Sequence, residues 1–185
     1  MIANTHRLVG EFLYQELPKE LQKCVCRRKF VFGNVKPDLK KKYRQFSHYY
    51  RDNVTVIFKW LDIMVEKDYE IEEFSEKLGI LIHFFCDYTC IYHANDYLHA
   101  SHSIRQHIQY EGKLHLYASR QLKDFSKMTI IPFQNQQEIY DYVANLTFEL
   151  NQEPAVISVE KDFENMMTLS MSVLLYILNH KYRGN

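Results

Sequence analysis

Glycine and proline are scarce, at 5 and 4 among 185 residues. That excludes a turn-rich all-β sandwich, which needs frequent chain reversals, and favours long helices. Net charge is absent as well, because 23 Lys+Arg balance 23 Asp+Glu. No global field therefore drives the chain onto nucleic acid or a membrane. Long hydrophobic runs are also missing. The longest apolar stretch, 78–92, contains His83 and Asp87 and is too short to span a bilayer. The opening MIANTHRLVG lacks a charged segment followed by an apolar one, so it does not read as an export signal. Only four cysteines occur, Cys24, Cys26, Cys86 and Cys90. The last two lie one helical turn apart in an apolar run, which suits reduced thiols better than a secreted disulfide framework. The expectation is a soluble, cytoplasmic protein.

Aromatic residues are plentiful, with 14 Tyr and 12 Phe, and apolar residues make up 46%. That composition belongs to a globular chain with a real core, and the length fits a single domain over 1–185. Charge is unevenly spread. Residues 19–44 hold ten Lys/Arg and two acids, a net +8, whereas 62–76 hold seven acids and Lys67, a net −6. Two solvated faces would explain this; a basic surface that attracts an anionic substrate is the sharper alternative.

The periodicity predicts an all-α fold, a bundle of roughly six or seven helices. Asn4-Thr5 reads as a helix cap, followed by a helix over 6–17 that Pro18 ends. A short helix is expected over 19–29. The run Gly33 to Asp38, with Gly, Asn and Pro together, reads as the clearest loop. Val54, Ile57, Trp60, Leu61 and Met64 are spaced by threes and fours, which predicts an amphipathic helix over 53–67. Residues 70–94 read as one long helix, apolar nearly all round in its second half and so central in the bundle. Further helices are expected over 100–122, 135–152 and 156–182. Only 128–133 carries any strand signal.

His83 and Asp87 stand in the most apolar part of the chain. A carboxylate there is costly unless it is paired or bound to a metal. The i, i+4 spacing puts both side chains on one face, where they can share a proton or one cation. His93 falls about 80° from His83 on a continuous helical wheel, on the same side but aimed at a different ion. His107 and Glu111 repeat the i, i+4 pairing on the next predicted helix. His6, Asp38, His48 and the amine of Met1 complete nine possible donors. Imidazole and carboxylate without thiolate suit catalytic rather than structural zinc, and helical bundles build such centres from side chains on facing helices. Cys86 and Cys90 share the arc of His83 but are expected to pack as small apolar residues. His115 extends the His107–Glu111 stripe by a turn, and His99 and His102 are expected at the surface. Tyr49, Tyr50, Tyr88, Tyr92 and Phe46 lie near the donors in sequence, where they could pack in the core or wall a cleft.

In this order and spacing, His6, Asp38, His48, His83-x3-Asp87-x5-His93 and His107-x3-Glu111 resemble the zinc-dependent phospholipase C family of bacteria. The same framework occurs in the related single-strand-specific fungal zinc nucleases. The resemblance covers about residues 1–115. It implies an all-α bundle with a metal cluster between helices, holding up to three zinc ions. One ion would be held by Asp38, His48, His83 and Asp87. Asp87 would bridge to a second, held also by His6 and the amino nitrogen and carbonyl oxygen of Met1. His93, His107 and Glu111 would hold the third. Secreted members present a processed N-terminal Trp where this chain has Met1. The implied reaction is phosphoester hydrolysis by a metal-bridging hydroxide, with Asp38 orienting or deprotonating the attacking water. The substrate would be a phosphate-ester small molecule or a phospholipid headgroup, with nucleic acid less favoured. The alternative is a metal-stabilised helical binding or structural protein whose site is not catalytic.

Overall fold

The sequence positions that are apolar all round are those that the fold surrounds. The computed structural model describes residues 1–40, 43, 46–101, 103–123, 125, 128–152 and 156–182. Among them are ten helices and no strand. Seven are long: α1 (Ala3–Glu16), α3 (Arg27–Leu39), α4 (Tyr50–Glu66), α5 (Ile71–Tyr88), α8 (Ile104–Gln121), α9 (Gln136–Leu150) and α10 (Val159–Tyr182). Three are short: α2 (Lys19–Gln22), α6 (Ile91–Ala94) and α7 (Asp96–Ser101). The expected all-α bundle is thus what forms. No described helix is long and apolar enough to cross a membrane.

α5 is the central element. Every residue from Leu78 to Tyr88 is buried, because α3, α10 and α4 pack around it. Phe74, Leu78, Leu81, Ile82, Phe84 and Phe85 are each essentially inaccessible. Each contributes about 1.5–3 kcal/mol by burial. α1 lays Val9 and Leu13 into the same core and packs on α3 and α8. The expected amphipathic helix over 53–67 is α4, with Ile57, Leu61 and Met64 inward.

The short helix expected over 19–29 is split into α2 and the start of α3, and four other local expectations fail. Gly33 to Asp38 is not a loop but the second half of α3. Gly33 is there for close packing: a Cβ on it would lie 2.2 Å from the Glu76 carbonyl oxygen and 2.9 Å from the Gly79 Cα. Gly79 returns the contact, since its Cβ would lie 2.1 Å from the Phe30 oxygen. Two glycines thus let α3 and α5 touch backbone to backbone. Pro37 sits inside the last turn of α3, near the helix end, where Lys40 resumes extended backbone.

The helix expected over 70–94 breaks at Thr89 and Cys90. Thr89 turns its hydroxyl onto the Cys86 carbonyl, Cys90 is extended, and α6 starts afresh at Ile91. The residue before α1 is Ile2, whose carbonyl accepts from the Thr5 and His6 amides, so Asn4 and Thr5 lie inside the helix rather than capping it. Residues 128–133 form no strand with any described residue. Instead the Ile131 amide donates to the Ser172 hydroxyl at 2.9 Å, tying the segment to α10.

The two charged segments meet each other. Lys29 reaches Glu72 and Glu76, and Lys36 also pairs with Glu76. The basic segment is in part neutralised within the chain, across the α3–α5 contact. Its Lys41, Lys42 and Arg44 lie outside the described residues.

Candidate metal centre

α1, α5, α6 and α8 each bring polar groups to one buried point, together with the stretch from α3 to α4. Asp87, near the end of α5, lies at its middle and is fully buried. Its two oxygens face opposite ways. Oδ2 lies 2.7 Å from His48 Nδ1 and 3.3 Å from His83 Nε2. Oδ1 lies 2.6 Å from the Met1 amine, 3.2 Å from His6 Nε2 and 3.9 Å from His93 Nε2. Asp38 stands behind the first pair, its Oδ1 3.9 Å from His83 Nε2 and 4.0 Å from His48 Nδ1. On the Met1 side, Glu111 Oε1 lies 2.9 Å from His93 Nε2, 2.8 Å from His107 Nε2 and 3.1 Å from the Met1 amine.

All nine sequence-predicted donors therefore converge. Eight of them fall into three groups whose ligand atoms lie within 4.8 Å of one another: His6, His83 and Asp87; Asp38, His48 and His83; and His93, His107 and Glu111. The ninth, the Met1 amine, lies 2.6 Å from Asp87 and 3.1 Å from Glu111. His83 belongs to two of them, its ring stacked on His6 at 3.7 Å. His93 does join His107 and Glu111, but not through a helical wheel. The break at Thr89 and Cys90 resets the direction of the chain, and α6 carries His93 there independently of α5.

The charges are strongly coupled. Burial alone would raise the Asp87 carboxyl, but the Met1 ammonium and then His93 and His6 hold it well below the usual carboxylate range. Burial would likewise raise Glu111, yet hydrogen bonds from His107 and His93 hold it low. The Met1 amine loses solvation on burial, but Asp87 and Glu111 outweigh that and push it up to about 12. Burial pulls His93 down to about 4, aided by the nearby ammonium. Burial also pulls His6 well below its ordinary value, and His83 adds to this. Burial pushes Asp38 up. Burial would lower His48, but its hydrogen bond to Asp87 and the charge of Asp87 raise it. A raised Asp38 carboxyl thus stands beside two depressed imidazoles and one raised one, an arrangement suited to proton transfer.

The donor set fits zinc. His83 Nδ1 donates to the Asn34 carbonyl at 2.8 Å, so in the neutral ring Nε2 aims a lone pair at Asp87 and Asp38. Two carboxylates and a lone pair repel unless a proton or a cation lies between them. Such an orienting bond on the far ring nitrogen is the usual support of a ligating histidine. His6 is buried; its Nε2 lies 3.2 Å from Asp87 Oδ1 but is not aligned for a hydrogen bond, and its Nδ1 has no partner among the described residues, which is expensive without a ligand. No thiolate competes. Cys86 and Cys90 stand outside the three groups. Burial pushes the Cys86 thiol up to about 12, and its sulfur lies 3.1 Å from the Ser170 hydroxyl.

The remaining residues sort by contact. Tyr49 packs 5.5 Å from His93 and Tyr92 5.3 Å from His107, ring centre to ring centre, so both flank ligands. Tyr88 is core and hydrogen-bonds Asn53, with Tyr50 edge-on against it. His115 Nδ1 lies 3.2 Å from the Thr5 hydroxyl, bracing α1 against α8. His99 is half-buried against Tyr49 rather than exposed, and His102 lies outside the described residues. Two contributors escaped the sequence reading. The Asn34 carbonyl orients His83 from within what had looked like a loop. Asp162, in the first turn of α10, accepts from the Ile91 amide and the Tyr110 hydroxyl; its only sequence signal is an acid at a position that the helical pattern turns inward.

An all-helical scaffold with three imidazole–carboxylate groups around one shared aspartate is the architecture of a multi-metal helical protein. The chain belongs to the zinc-dependent phospholipase C family, whose model matches residues 5–158. The match extends past residue 115, where the sequence resemblance had stopped, and takes in α8 and α9 whole. No curated protein and no solved structure is detectably similar to the chain.

Proposed function

We propose that the chain hydrolyses a phosphoester at this centre, with the nine donors as its metal-binding set. The observation that carries the reading is the placement of Asp87, whose two oxygens face separate donor groups. Asp38, His48 and His83 with Asp87 Oδ2 would hold one ion. His6 and the Met1 amine with Asp87 Oδ1 would hold a second, and His93, His107 and Glu111 a third. Bound zinc supplies a water acidic enough to ionise near neutral pH and positive charge for phosphate oxygens.

The chain's own residues do the rest. His6, His83 and Asp87 are fully buried, whereas Asp38, His48 and His107 retain roughly 14–20% side-chain exposure. Substrate therefore approaches from the Asp38–His48–His107 side. The Asp38 carboxylate, pushed up by burial, orients the attacking water and takes its proton as the new oxygen–phosphorus bond forms in line with the breaking ester bond. The ester oxygen takes that same proton back from Asp38 as its bond to phosphorus breaks, so it departs as the alcohol and Asp38 is again a carboxylate. Tyr49 and Tyr92 wall the ligands and limit bulk water. A phospholipid headgroup or another small phosphate ester is the substrate class.

The test is a panel of phosphodiesters and phosphomonoesters, among them bis(p-nitrophenyl) phosphate and p-nitrophenylphosphorylcholine, given to zinc-reconstituted protein and to Asp38→Asn. Turnover that falls at least a hundredfold in the variant, assayed in excess zinc so that the weakened ion stays bound, is expected. Full zinc loading with no turnover of any phosphoester would establish the metal-stabilised structural alternative.

A further inference from the structure

We propose that Asp162 is a positioning residue for the His93–His107–Glu111 group, one buried carboxylate in α10 that braces both segments carrying those ligands. The inference rests on that group holding a metal. Asp162 Oδ2 accepts from the Ile91 amide at 2.9 Å and from the Tyr110 hydroxyl at 2.7 Å. Ile91 is the first residue of α6, and His93 the third. Tyr110 immediately precedes Glu111 on α8. The Tyr92 ring fills the space between them, 4.9 Å from the Tyr110 ring and 5.3 Å from His107. One oxygen thus ties the chain on either side of the group.

The need for this brace follows from the break after α5. A new helix start leaves amide hydrogens without partners, and α6 is only one turn long. Its far end is tied to the end of α9, where the Asn151 side-chain amide donates to the Ala94 carbonyl and the Asn95 side-chain amide to the Leu150 carbonyl, so the start of α6 and the direction of His93 depend on what the Ile91 amide grips. Asp162 is 1% exposed and makes no ion pair among the described residues. A buried carboxylate without a cation is costly, and a well-packed apolar residue would serve the core better. What an apolar residue would lack is an acceptor for both donors. Asp162 also lies beyond the matched residues 5–158.

Zinc-loaded protein, Asp162→Ala, Asp162→Asn and Tyr110→Phe would be compared by elemental analysis and by zinc release to a chromogenic chelator. Melting in EDTA would be followed alongside. Asp162→Ala should lose one ion at least tenfold more readily than the parent, in the range known for residues that orient ligands, and keep the others. Asp162→Asn, which retains an acceptor oxygen, should recover most of that affinity. An Ala variant that melts lower yet binds and releases all its zinc like the parent would overturn the proposal, leaving Asp162 purely structural. Should the Ala variant fail to fold, Tyr110→Phe carries the test, with several-fold faster release of one ion expected and unchanged release refuting. If His107→Ala shows that the parent holds no ion at this group, the metal reading fails and takes this inference with it. Parent zinc with insensitive variants sinks the inference alone.

Discussion

Replacing Asp87 with asparagine keeps the shape of the centre and removes its one shared charge. In metal-free protein that charge faces the Met1 ammonium at 2.6 Å, with both groups fully out of water. The amine is held up from 8.0 to about 12, about four units at roughly 1.4 kcal/mol each, so about 5 kcal/mol of folding free energy at most. Its sign is that of a group whose folded value is raised. The contribution is fully present below pH 8 and is lost as pH climbs from 8 towards 12. Asp87 shares it with Glu111, 3.1 Å from the same nitrogen, so the variant should lose about 3 kcal/mol of it. Independent experience with breaking one partner of a buried pair gives about 3–5 kcal/mol, in agreement. Urea unfolding in EDTA at pH 7 and pH 10 would read this: a large loss at pH 7, and a smaller difference from the parent at pH 10. In zinc-loaded protein the same substitution should remove two ions per chain, since Asp87 serves two donor groups. A variant with unchanged zinc content would refute the shared placement. One destabilised by less than about 1 kcal/mol at pH 7 would refute the electrostatic argument.

Four further outcomes follow from single residues. His107→Ala should release one zinc and leave the rest, because among the described residues His107 belongs to a single donor group, with His93 and Glu111; elemental analysis decides, and loss of all metal would contradict separate groups. Gly33→Ala should destabilise by about 3 kcal/mol or more, since its Cβ would strike the backbone of α5. Gly112→Ala, where a Cβ meets nothing within 4 Å, should stabilise by about 0.5–1 kcal/mol; thermal unfolding compares the two. Burial pushes Asp162 from 3.8 up to about 7. Between those values the folded chain keeps a proton that the unfolded chain has released, so this residue's contribution falls as pH rises from about 4 to 7, by about 4 kcal/mol at most. Asp162→Asn should remove that slope relative to the parent in urea titrations across the same range.

The helices and the paired donors were legible in the sequence because both depend on near neighbours. Threes and fours of apolar residues set α4, and i, i+4 spacing alone puts His83 over Asp87 and His107 over Glu111. The recognition of His6, Asp38 and His48 as partners needed the likeness to a family, since nothing local links them to α5. The tertiary structure decided what depends on distant residues. Gly33 and Pro37 carry loop chemistry, yet the close approach of Gly79 makes that stretch helical. The stretch 70–94 has no glycine or proline at its break, yet it ends at Thr89, and Asp162, more than seventy positions on, captures the Ile91 amide where a new helix starts. The basic and acidic segments look like separate faces, yet packing of α3 on α5 sets them against each other. Periodicity reports which side of an element is buried. Only the packed chain specifies what it is buried against, because the closing contacts join residues whose separation in sequence carries no periodic signal.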